Sequence, residues 1–442
     1  MNKLDKDYLE ILRDILDNGH KKETRNGGVR SLFGRTIRYK FKDGKFPILT
    51  TKKMGFKTIM TELHWFLSGR TDLKYLVDNN CFIWVGDAYK KYFNQTKDLS
   101  FDNFQCRGNG VITIKGFDSK SIDIYGTVSG TISKGEFRPY TEEEFINKIK
   151  TDDEFSNKWG NLGRIYGAQW RGWRKYNYEN DVSQIIEQYP IDQIQDLINE
   201  IKANPDSRRL KVTAWNPSEI DDAILPPCHT DFQIYTRELS LEERREFYFD
   251  NSEKYHHPHY DNDTVSENGY KLSDGDLFFE DLMNEKDINV PKRTISLLWN
   301  QRSADFPLGI PFNIASYGAL LCILGKMCNM IPEDLIGNIG DCHIYDNQID
   351  AVNEHLGIDL ELEEEKNKLL KDKDYKKAGQ IRDKQIIKLR THRQPFPLPT
   401  LRFNDNIKFD GTIDELLESC TPSDFKLENY QSHSAIKTPL SN

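Results

Sequence analysis

The residues best suited to do chemistry sit in a few short motifs. LPPCHTDFQIYT (225–236) sets Cys228 behind two prolines, which hold the backbone extended, and ahead of a short apolar strand. A thiolate is a nucleophile, but a buried cysteine is often just a small hydrophobe. Its company argues for chemistry. DSRRLKVTAWNP carries the adjacent Arg208 and Arg209 into a strand. NQRSADFPLGIPFNIASYGALL (300–321) holds Arg302, Ser303 and Asp305, a Gly-Pro turn region, Asn313 and a long apolar helix. IGDCHIYDNQID spaces His343 and Tyr345 two residues apart, on one face of a strand. TRNGGVRSLFGRTIRY puts Arg25 before a Gly-rich turn and a strand. Core packing explains each piece alone; it does not explain five in this order.

The elements that must position these residues fall into four apolar-patterned blocks, roughly 1–95, 155–236, 293–356 and 393–442. Between them lie three segments of different character. About 96–154 alternates at period two around glycines (VITIKGF, SIDIYGTVSGTI), which predicts a strand-rich excursion closing on a helix at TEEEFINKIKTDDEF. About 237–292 is polar, acidic and rich in turn formers. Its His256, His257 and His259 read as a solvated loop, because no matching Cys or spaced His follows. About 357–392 is a charged helical hairpin with a faint likeness to the partner-binding hairpin of excision-repair proteins. No Ser/Gly or Pro linker divides the chain, so residues 1–442 read as a single catalytic domain carrying three insertions.

Composition bounds the function class. Abundant Phe and Tyr mark a folded chain. A net charge of −9 argues against general nucleic-acid binding, yet leaves room for a local basic pocket taking one phosphorylated small molecule. The seven cysteines are scattered with no CxxC pair, so no metal site and no disulfide framework is expected. The charged, amphipathic N-terminus and the lack of 18 consecutive apolar residues predict a soluble, cytoplasmic protein with no membrane partner (host cytoplasm, if phage-encoded).

At this point the chain resembles the thymidylate synthase family. The likeness rests on TRNGGVRSLFG, FPILTTKKM, ELHWFLSG, NNCFIW, GNLGRIYGAQWRGW, DSRRLKVTAWNP, LPPCHTDFQIY, QRSADFPLGIPFNIASY, GDCHIYDNQID, PFPLPTLRF and NYQSHSAIKTPLSN. They follow the family's order and span nearly the whole chain outside the insertions. The resemblance implies an α/β (α+β) fold, a large mixed β-sheet with flanking helices, acting as a homodimer. It implies reductive methylation of dUMP to dTMP with 5,10-methylenetetrahydrofolate as co-substrate.

The resemblance also distributes roles. Cys228 attacks uracil C6 and turns C5 into an enolate-like centre. Arg302 is expected to favour the thiolate. Arg25, Arg302 and Ser303 bind the phosphate from one subunit, and Arg208 and Arg209 reach it from the other. Asn313 reads uracil O4 and N3–H, and His343 and Tyr345 bind the 3′-hydroxyl. Glu62 and Tyr166 handle proton transfers, and His229 and Gln301 line the site. Asp305 binds the pterin against a wall of Ile83, Trp84, Leu308, Gly309 and Phe312. Lys52 and Lys53 fall near the expected entrance for the folate.

Two departures bear on water exclusion. The run IWVGDAYKKY has Asp87 where typical members carry a second tryptophan, and the chain ends TPLSN rather than in small apolar residues. If water rather than hydride reached the exocyclic methylene on C5, the product would be 5-hydroxymethyl-dUMP, so a dUMP hydroxymethylase is the alternative. A non-catalytic homologue acting as a binding scaffold is the alternative of a different class.

Overall fold

The computed structural model describes residues 2–42, 44–97, 105–107, 111–115, 121–125, 130–133, 136–178, 185–250 and 290–441. The histidine cluster at 256–259 lies outside the described residues.

The architecture is a mixed sheet packed on helices. Six strands, β1 (His20–Thr24), β2 (Gly27–Lys40), β3 (Lys211–Thr213), β4 (His229–Glu238), β5 (Arg293–Asp305) and β6 (Ile331–Tyr345), run in the order β1-β2-β6-β5-β4-β3. Neighbours pair antiparallel except β5 and β6, which are parallel. That pair places the ends of both strands together, so Ser303 faces Asp341 and Asp305 faces His343 in register.

The helix joining β5 to β6 supplies the crossover such a pair requires. Labelling helices in chain order, α1 is Lys3–Asn18, α2 Phe56–Leu67, α3 Val85–Thr96, α4 Gly167–Arg171, α5 Gly309–Met327, α6 Ile349–Leu356, α7 Leu360–Lys371 and α8 Tyr375–Thr391. Among them α5 is apolar enough and long enough to span a membrane by composition, but it is a core helix: Ile314, Ala315, Leu321 and Leu324 are fully or almost fully buried. One hydrophobic cluster joins it to α1, α2 and the sheet.

Outside this body, Gln105–Arg107, Val111–Lys115 and Ser121–Tyr125 form a three-stranded antiparallel ribbon, and Gly130–Ser133 pairs with Glu136–Pro139. A helix at Glu142–Thr151 follows, started by a Thr141–Glu144 capping box. Residues 357–392 contain α7 and α8, which pack on each other and leave Tyr375 and Ile387 exposed.

Candidate active site

Cys228 lies one residue ahead of β4, where the register with β5 slips between His229 and Asp231. Such a bulge re-aims side chains at a strand's end. The cysteine backbone is fixed on both sides. Its N–H donates to the Tyr166 hydroxyl at 2.8 Å, and its carbonyl accepts from the Arg302 N–H at 2.8 Å. The Arg302 guanidinium then donates to the two carbonyls just before the cysteine, Nε to Pro227 and Nη2 to Pro226, each at 2.9 Å. Its carbon lies 5.5 Å from the centre of the Trp215 ring. Arg302 therefore clamps the loop that carries the thiol.

Arg302 favours the Cys228 thiolate, as expected from the sequence, but burial works against it. Burial pushes the thiol above its usual range; the Arg302 charge opposes this most strongly, and Arg25 also opposes it while Asp87 and Asp305 add to the rise.

Tyr166 is held in an unusual conformation, with φ +28°, at the start of α4. The next residue is glycine because α4 rides against α2: a Cβ on Gly167 would fall 2.4 Å from the Phe66 carbonyl oxygen. The Tyr166 ring stacks on His229 at 4.0 Å, and Nδ1 of His229 pairs with the Tyr317 hydroxyl at 2.8 Å. Burial pushes His229 down to about 3, so the imidazole is neutral. Tyr317 in turn stacks on Trp299, whose Nε1 donates to Gln301 at 3.2 Å. Gln301 donates to the Ser303 carbonyl at 3.1 Å. A continuous chain of contacts thus runs from the thiol loop to the end of β5.

Glu62, on α2, is buried and accepts from Trp84 Nε1 at 2.9 Å. Burial pushes its carboxyl up to about 7, against the lowering effect of the Trp84 bond. A group with that affinity can hold or release a proton near neutrality. Folded protein therefore binds a proton that the unfolded chain sheds near 4.5. The stability from this group is fully present below pH 4.5 and is lost as pH rises through 7. His229 acts with the opposite sign, losing stability as pH falls from 6.5 through 3. We expect Glu62→Gln to gain melting temperature relative to wild type as pH goes from 4.5 to 7, in thermal melts across that window. A constant difference would refute the assignment.

At the ends of β5 and β6, Asp305 accepts from the Leu308 N–H at 3.1 Å and from Gln348 Nε2 at 2.7 Å. His343 Nδ1 pairs with Asp341 at 3.0 Å, and its ring meets Tyr345 edge-on at 5.0 Å. Leu308, Gly309 and Phe312 lie at the start of α5, beside the Asp305 cap. Asn313 is one turn further on, and a Cβ on Gly309 would lie 3.8 Å from its amide oxygen. Trp84 is buried beside Tyr166, ring centres 6.0 Å apart, whereas Ile83 is exposed. Lys52 is buried, its ammonium donating to the Pro307 carbonyl at 2.6 Å, while Lys53 is exposed.

Arg25 stands exposed in the β1–β2 turn, close enough for its charge to reach Cys228, Asp87 and Tyr345. Arg208 and Arg209 are exposed in the turn before the edge strand β3. Among the described residues, the side chains of those two and of Asn313 make no hydrogen bond, ion pair or ring contact with the other candidates. Three contributors were not picked out from the sequence: Tyr317, Trp215 and Gln348. Tyr317 had a signal, since it lies four residues beyond Asn313 on the same helix face.

The family model described as thymidylate synthase matches residues 6–245 and 282–442. A thymidylate synthase of Phytoplasma mali is 33% identical over 431 residues, 97% of each chain. One from Malacoplasma penetrans is 33% identical over 435 residues, 98% of each chain. One from Mesoplasma florum is 34% identical over 352 residues, covering 79% of this chain and 85% of its own. With a thiol loop clamped by arginine, a neutral histidine stacked on tyrosine and a proton-holding glutamate, matched by the family along most of its length, the chain belongs to the thymidylate synthase family.

Proposed function

We propose that this enzyme converts dUMP to dTMP by reductive methylation, with 5,10-methylenetetrahydrofolate as co-substrate. The observation that carries the reading is the convergence of Cys228, Tyr166, His229 and the Glu62–Trp84 pair around one loop. When bound, the folate supplies both the one-carbon unit and the hydride. Trp84, Leu308, Gly309, Phe312 and the Asp305 carboxylate suit a flat heteroaromatic ring with polar edges.

The chain's own residues divide the remaining work. Cys228 Sγ adds to uracil C6 and is expelled at the end. Tyr166 and Glu62 receive and return protons, while neutral His229 holds Tyr166 in place by stacking. Asn313 orients the base, His343 and Tyr345 hold the sugar, and Arg25, Arg302 and Ser303 hold the phosphate. Arg208 and Arg209 complete that phosphate site from a second copy, which makes the working unit a homodimer. Their exposure at a sheet edge, and the exposed Phe33 and Tyr235 on the sheet, support this. The single catalytic domain is supported by a family match on both sides of 246–281.

The test is to incubate purified protein with dUMP and 5,10-methylenetetrahydrofolate, weigh the nucleotide product and follow dihydrofolate by absorbance. Thymidylate with equimolar dihydrofolate is expected. A nucleotide heavier by one oxygen without dihydrofolate would establish the hydroxymethylase instead, and no product with nucleotide bound would turn attention to the insertions and to a non-catalytic role.

A further inference from the structure

Gln348 occupies a junction that the reading above leaves unused. Its side chain is fully buried, with 0% exposure, and its amide makes three hydrogen bonds, each to a different segment. Oε1 accepts from the Tyr345 N–H at 3.1 Å, at the end of β6. Nε2 donates to Asp305 Oδ2 at 2.7 Å, at the end of β5, and to the Pro439 carbonyl at 3.0 Å, in the C-terminal tail. One NH₂ group has two hydrogens, so both are used. The neighbouring residues hold the same tail: Asn347 Nδ2 donates to the Leu440 carbonyl at 3.3 Å, Ser441 Oγ to Asn347 at 2.8 Å, and Asn26 Nδ2 to the Ser441 carbonyl at 3.2 Å.

The tail is otherwise weakly fastened, with Leu440 58% exposed. Its seat is polar, and among the described residues only Gln348 connects that seat to a carboxylate assigned to the folate. If the tail lifts, one Nε2 hydrogen loses its acceptor inside a buried site, at a cost that favours re-seating. If Asp305 turns away, the same amide is disturbed from the other side.

We propose that Gln348 is a positioning residue that couples the seating of residues 439–441 to the orientation of the Asp305 carboxylate, so that folate is gripped when the tail is down. This rests on the assignment of Asp305 to the folate. Gln348 touches neither reacting carbon, so its effect travels through those two partners.

The variants are Gln348→Leu, which keeps the bulk and removes the bonds, and Gln348→Glu, which replaces the donor with an acceptor facing Asp305. Wild type is assayed first: failure to make thymidylate would sink the functional reading, not this inference. With wild type active, Gln348→Leu is expected to raise KM for 5,10-methylenetetrahydrofolate by about tenfold, while dUMP affinity by calorimetry stays within about twofold. Removing residues 439–442 should do the same, and the double variant should be no worse than the more severe single one. Full additivity of the two changes would overturn the coupling. A loss shared equally by dUMP affinity and folate KM would also overturn it, since that pattern marks general disruption of the site. Unchanged kinetics in Gln348→Leu and Gln348→Glu would do so outright.

Discussion

Cys228→Ser is expected to lose on the order of 10³-fold or more in turnover, while dUMP affinity stays within a few-fold. The argument begins from burial. The thiol already sits above its ordinary range, and a hydroxyl begins several units higher, so the same surroundings leave serine without usable anion. Oxygen is also the weaker nucleophile toward a conjugated carbon. The anchors of the loop do not involve Sγ: Tyr166 binds the residue's N–H, and Arg302 binds its carbonyl and the two before it. The serine variant should therefore fold, bind nucleotide and fail at the first covalent step. Calorimetry with dUMP and dihydrofolate absorbance separate these outcomes; turnover within tenfold of wild type would remove Cys228 from the nucleophile role.

Arg302→Ala should be the next most damaging change, costing on the order of 10²-fold in kcat/KM for dUMP. Two effects add. The carbonyls of Pro226 and Pro227 lose their donors, freeing the thiol loop, and Cys228 loses the strongest influence lowering its proton affinity. The second effect has a signature of its own: the pH midpoint for alkylation of Cys228 should rise in the alanine variant. Arg302→Lys should restore part of that midpoint but not the loop, because an ammonium lacks the planar fork that spans two successive carbonyls. An alkylation profile identical to wild type would show that the charge does not act on the thiol.

What could be read from the sequence was whatever is written in contiguous residues. The motif around Cys228 and the two-residue spacing of His343 and Tyr345 depend on neighbours in the chain, and the mixed sheet with flanking helices followed from the family resemblance those motifs carry. The placement of Gln348 between Asp305 and Pro439 depends on three distant segments meeting, which no local pattern records. The balance of influences on Cys228 was only half legible for a similar reason. The nearby arginine is visible in the sequence, but the depth that outweighs it is not. The contact of Lys52 with the Pro307 carbonyl likewise joins distant segments and has no local sequence signal. Asp87 keeps its interest. It replaces an expected indole, is partly buried, and burial raises its carboxyl while Lys90 and Arg25 restrain it.

The pairing of β2 with β6 carries a cost during synthesis. β2 ends at Lys40 and its partner begins at Ile331, so on a ribosome adding 5–20 residues per second β2 waits roughly 15–60 s for it. Throughout that interval β2 has an open edge and an apolar face, the condition in which nascent chains associate wrongly. The centre of the sheet, and with it the meeting of Asp305 and His343, cannot form until three-quarters of the polypeptide has emerged. A chain truncated before β6 would therefore lack an active site and also expose an unpaired strand, a natural target for chaperones and proteases.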